Sequence, residues 1–122
     1  MTRTGFWMGG VWWSVRTVPP SSPCLVDRTG HITVATTEPK RHRINVSKSL
    51  TGRNLETVLR HEMTHAAMRT YGLESFIRQK VPKRSRVRIE EAICNLVADH
   101  GAEILENAEM VSSIVERLQN AA

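Results

Sequence analysis

Apolar and polar residues recur with two different periods along this chain. Up to about residue 53 the period is two. The run Val11-Trp12-Trp13-Ser14-Val15-Arg16-Thr17-Val18 is β-branched and aromatic, with Trp13, Val15 and Thr17 opposite Trp12, Ser14 and Arg16. It predicts a strand. Residues 1–10, broken by Gly5, Gly9 and Gly10, read as a loose start. After the strand, Pro19-Pro20-Ser21-Ser22-Pro23 reads as a rigid loop. Cys24-Leu25-Val26 reads as a short strand and Asp27-Arg28-Thr29-Gly30 as a turn. Two further strands are expected at His31–Thr36 and Arg43–Ser47, on either side of the turn Thr37-Glu38-Pro39-Lys40. Together these predict a small antiparallel sheet.

Beyond Asn54, a side chain suited to an N-cap, the period becomes helical. Leu55, Val58, Leu59, Met63, Ala66 and Ala67 line one stripe, and Tyr71-Gly72 supplies a stop. Leu73 to Arg88 predicts a short helix and then a basic loop around Pro82. A second long helix is expected from about Arg88, with Ile89, Ile93, Leu96 and Val97 as its core stripe, pausing at Gly101 or continuing to Asn107. A last helix, Met110 to Leu118, is expected to bury Val111, Ile114, Val115 and Leu118. The fold class is therefore α+β in one domain over residues 1–122, with 1–53 mainly strands and loops and 54–122 mainly helical.

Composition narrows the class. A chain of 122 residues suffices for one core. The apolar run Phe6 to Trp13 is short and contains Gly9-Gly10, which does not suit a secretory signal, and no stretch suits a membrane span. Cys24 and Cys94 make no disulfide framework and read as reduced thiols of a cytoplasmic protein. The net charge of +5 is unevenly spread: residues 1–89 hold sixteen Lys and Arg against five acids, and residues 90–122 one Arg against seven acids. This predicts an acidic module docked on a basic one.

The chemistry concentrates at His61-Glu62-Met63-Thr64-His65, in the middle of the first predicted long helix. Residues four apart share a helix face, so both imidazoles can meet one Zn²⁺ while Glu62 reaches the water bound to it. A catalytic zinc site needs a third protein ligand, and Glu90, Glu91, Asp99 and His100 are the candidates downstream. The extended metzincin pattern is absent, because Met68 and Tyr71 stand where its Gly and third His belong.

Glu91-Ala92-Ile93-Cys94-Asn95 resembles the gluzincin pattern Glu-x-x-small-Asp/Asn. The hydrophobic lead-in Val58-Leu59, Ala66 after the second histidine and the acidic pair opening the next helix extend this. Over residues 31–105 the chain resembles small zincin-like metallopeptidases of phage and bacterial origin, with SprT-like and ImmA/IrrE-like proteins as neighbours. The resemblance implies Glu91 as third ligand, with Glu90 its rival, and Asn95, or Asp99 one turn on, as the residue orienting a histidine. It also implies peptide-bond hydrolysis. Zinc lowers the pKa of bound water from about 16 to near 7, on the order of 12 kcal/mol, and Glu62 as general base carries the proton to the leaving amine.

An edge strand, His31–Thr36 or Arg43–Ser47, is expected to hold an extended peptide or protein substrate. Tyr71, His31, His42 and His100 are the candidates for stabilising the oxyanion. The basic run Arg78–Arg88, with Lys40, Arg41 and Arg43, reads first as a solvated loop and second as a surface for nucleic acid or an acidic partner. The alternative to an enzyme is a phage-type structural or regulatory module in which the metal is structural and the basic face binds nucleic acid or a partner.

Overall fold

A computed structural model describes residues 4–121; Met1–Arg3, part of the stretch read as a loose start, and Ala122 lie outside it. The architecture is α+β, a four-stranded mixed sheet followed by helices: β1 (Thr4–Met8), β2 (Val11–Val18), β3 (Ala35–Glu38), β4 (Arg43–Ser47), α1 (Gly52–Thr70), α2 (Leu73–Lys80) and α3 (Arg86–Ala121). The strand order is β1-β2-β4-β3.

The start of the chain is more regular than its glycines suggest. β1 and β2 form a hairpin in which Met8 pairs with Val11 across Gly9-Gly10. Both glycines have positive φ, 57° and 78°. That is the conformation a two-residue hairpin turn demands, so the residues that interrupt the pattern also close the hairpin. The sheet is not antiparallel throughout: β2 and β4 run parallel, Val15 opposite Ile44, because β3 lies outside β4 rather than between it and β2. Local patterning specifies a strand but not its neighbour.

Three other expectations are corrected. Pro23–Leu25 forms a 3-10 turn, capped by the Ser22 side chain, instead of a strand. Of His31–Thr36 only Ala35 and Thr36 are strand, after an isolated Val26–Ile32 bridge and a bend at Val34. α1 starts at Gly52, so Asn54 lies within its first turn and Thr51 holds the N-cap position.

Two cores fix the layers. On one sheet face Ala35, Ile44 and Val46 are buried, with Val58, Leu59 and Met63 of α1 packed against them. On the other face Asn45 is fully buried in a polar network, accepting from Arg16 Nε (2.6 Å) and donating to Glu38 Oε2 (2.9 Å) and Thr36 Oγ1 (3.2 Å). The second core joins the helices, where Met68, Ile77 and Cys94 cluster with Val81 and Ile93. Arg60 Nε of α1 donates to the carbonyl of Ala98 in α3 at 3.0 Å, locking the helices where they cross.

α3 is one helix of 36 residues, unbroken at Gly101 or Asn107. Only its first half is packed. From Ala102 onward every described residue is exposed, so Val111, Ile114, Val115 and Leu118 are not buried, and the acidic segment docks on the basic body only through its first part, from Glu90 to about Gly101. Of the expected α3 stripe only Ile93 packs against the core; Ile89, Leu96 and Val97 are exposed, and Cys94 and Ala98 are the residues α3 buries.

Candidate metal centre

Helical geometry alone sets the first pair. His61 and His65 project from one face of α1 with ring centroids 5.0 Å apart. α3 crosses α1 at the same level and presents Glu90 and Glu91 from its second turn. Glu91 spans both imidazoles, with Oε2 3.0 Å from His61 Nε2 and Oε1 3.2 Å from His65 Nε2. Glu90 Oε1 lies 2.8 Å from the other nitrogen of His65, Nδ1. The two carboxylates therefore hold different stations, Glu91 between the rings and Glu90 behind one of them.

Glu62 turns inward between α1 and the sheet and is 5% exposed. Its Oε2 is buried without a hydrogen-bond partner. Burial pushes its pKa up to about 7, opposed by the charge of His65 and helped by that of Glu91. A carboxyl poised there exchanges protons readily near neutrality. Burial disfavours charge on His65, but hydrogen bonds with Cys94 and Glu90 outweigh it and raise its pKa to about 10. On the β3 side, Thr37 Oγ1 donates to the carbonyl of Glu62 at 3.3 Å.

Two further residues join the site. The loop after the 3-10 turn is tied by Asp27, whose Oδ1 accepts from the backbone of Thr29 (2.8 Å) and His31 (3.0 Å). At its apex Arg28 reaches Glu90 Oε2 (3.0 Å) and Glu91 Oε1 (3.3 Å). Nothing local in the sequence signals a contact across sixty residues. Cys94 had a local signal, since it follows Glu90 by one helical turn. Its sulfur lies within 4.8 Å of ligand atoms on both His61 and His65, and it is fully buried, 3.8 Å from the sulfur of Met68. The imidazole pair thus has two ways to acquire a third donor, Glu91 or Cys94.

Other expected residues are not assembled here. Asn95 and Asp99 line the cleft but are exposed and, among the described residues, hydrogen-bond to neither histidine; Glu90 makes that contact. None of Tyr71, His31, His42 and His100 lines the cleft. His42 instead adopts a left-handed backbone and packs its ring 5.0 Å from Trp13. β4 is internal to the sheet and cannot serve as an edge, whereas β3 is an edge and lines the cleft. Within the basic run, Arg86 turns back to donate to the carbonyls of Val81 (2.9 Å) and Arg78 (2.7 Å), closing the end of α2, while Arg78, Lys80, Lys83 and Arg84 are exposed.

The cleft has a volume of about 800 Å³, bounded by β3, the Arg28 loop, α1 and α3. No described helix is long and apolar enough to cross a membrane. Comparison of the chain with models of protein families, with curated proteins and with solved structures finds no match.

Proposed function

We propose that this protein is a zinc-dependent hydrolase of peptide bonds, with His61, His65 and Glu91 as metal ligands and Glu62 as general base. The observation that carries the reading is the convergence of Glu91 on Nε2 of both histidines, 3.0 and 3.2 Å away, beside a buried Glu62 oxygen that has no partner. Two imidazole nitrogens and one carboxylate are a donor set suited to Zn²⁺ with a coordination position left for water. When bound, Zn²⁺ supplies Lewis acidity and a water acidic enough to ionise near pH 7.

The chain's own groups account for the remaining work. Glu90 orients His65 through Nδ1, leaving Nε2 for the metal. Glu62 is held close to neutrality, so Oε2 can take a proton and return it to a leaving amine. β3, as the sheet edge along the cleft, offers backbone groups to an extended chain, which favours a peptide over a small ester.

The test combines metal content with turnover. Purified protein should contain one zinc per chain and cleave unfolded protein offered as substrate. Glu62→Gln should retain the zinc and lose about 10²- to 10⁴-fold in rate. Full zinc occupancy with hydrolysis unchanged in Glu62→Gln would rule the mechanism out.

A further inference from the structure

The free half of α3 carries a heptad seam. Val97, Gly101, Ile104, Ala108, Val111, Val115 and Leu118 follow one another at alternating spacings of four and three, the 3.5-residue period of a two-helix coiled coil. Ile104, Val111 and Leu118 are 58%, 50% and 67% exposed, so the seam is bare. The positions flanking it, Leu105, Ser112 and Gln119 on one side and Asn107 and Ile114 on the other, hold no charge. Glu103, Glu106, Glu109 and Glu116 lie on the remaining faces. An arm of twenty residues is about 30 Å long, enough for the three distinct layers below, and a helix of this kind draws most of its stability from packing of its apolar face, which α3 lacks here.

The geometry points to a second copy of this chain as the occupant, paired antiparallel through α3. Residue sizes select the direction. An antiparallel register sets Gly101 against Leu118, Ala108 against Val111 and Val115 against Ile104, so the small residue in two of these layers faces a large one. A parallel register would set Gly101 against Gly101 and Ala108 against Ala108, leaving voids in two layers. Charge selects the same direction. Residues 99–121 hold five acids and one Arg, net −4, whereas residues 1–98 hold sixteen Lys and Arg against seven acids, net +9. Either pairing lays the two acidic arms side by side, but the antiparallel one sets the two basic bodies at opposite ends and brings each arm's tip, at Leu118, to the edge of the partner's body at Gly101, whereas the parallel one sets both basic bodies together. The body end of the seam is accessible, since Val97 remains 36% exposed where α3 leaves α1.

The inference is independent of any metal and is tested by mass in solution. Wild type at micromolar concentration should sediment as a dimer, and Ile104→Glu/Val111→Glu should halve the mass while keeping the thermal transition of the body. Direction is read from disulfides. In a Cys24→Ser background, Gly101→Cys/Leu118→Cys should give an interchain bridge on oxidation, and Leu118→Cys alone should not, with the Cys24→Ser protein, whose Cys94 is buried in the body, as the blank. A monomeric wild type, a dimer indifferent to Ile104→Glu/Val111→Glu, or a bridge from Leu118→Cys alone would each overturn the proposal.

Discussion

Glu90 holds Nδ1 of His65 at 2.8 Å, from behind the ring that presents Nε2 to Glu91. Adjacent residues on one helix point about 100° apart, so this division of labour between Glu90 and Glu91 follows from helix geometry once α3 is seated on α1. Replacing each should have a different consequence. Glu91→Ala should abolish stoichiometric zinc, since it removes a ligand. Glu90→Gln should keep a site weakened about 10- to 100-fold, as loss of an orienting partner does. Competition against a chelator of known affinity measures both, and the reverse ranking would exchange their roles.

Cobalt distinguishes the two candidate third donors. With Glu91 as ligand, Co²⁺-loaded protein should show no intense thiolate-to-metal charge-transfer band, and Cys94→Ser should leave the visible spectrum unchanged. A strong near-ultraviolet band lost in Cys94→Ser would place the sulfur on the metal, giving a donor set closer to that of a Cys-containing zinc site.

Arg28 bridges Glu90 and Glu91 at 3.0 and 3.3 Å and partly offsets two neighbouring negative charges. Its side chain is 46% exposed, so solvent screens the contact and its worth is about 1 kcal/mol or less. In Arg28→Ala the metal-free protein should melt at lower temperature. Added zinc, which takes over the neutralisation, should raise the melting temperature by more than in wild type. Equal zinc-induced increments in the two proteins would show that Arg28 does not compensate the site.

Away from the centre, Glu38 accepts from Arg43 Nε and Asn45 Nδ2, both at 2.9 Å. The bond from Arg43 holds its carboxyl below the ordinary value of 4.5, although burial works the other way. A carboxyl whose folded pKa is depressed stabilises the fold fully above the unfolded value, and that contribution disappears as pH falls through the folded value. Wild type should therefore lose more stability than Glu38→Gln between pH 6 and strong acid. Denaturant unfolding at each pH reads the difference, and parallel curves would remove Glu38 as its source.

Elements whose order is local were legible in the chain. Val11–Val18 and Arg43–Ser47 are strands over the expected residues, and α1 stops at Thr70, before Tyr71-Gly72. Where local order was not enough, the readings diverged. An apolar stripe at helical spacing reads as buried whether its partner lies in the same chain or elsewhere, which is how Val111, Ile114, Val115 and Leu118 came to be expected inside. Their exposure follows from α1 and α2 covering only the first part of α3.

By itself, the sequence determined that His61 and His65 share a face, because that is set by backbone dihedrals within a few residues; that Gly9-Gly10 closes a hairpin, in a stretch that reads as a loose start, needed the pairing of β1 with β2. Tertiary structure alone decided that Glu91 lies between the imidazoles, that Glu90 stands behind one of them and that Arg28 spans both carboxylates. It also decided that β2 runs parallel to β4. Those relations join residues some 25 to 63 positions apart. They depend on how α1 seats on the sheet through Val58, Leu59 and Met63 and meets α3 through Cys94 and Ala98, a matter of packing shape that no short-range periodicity encodes.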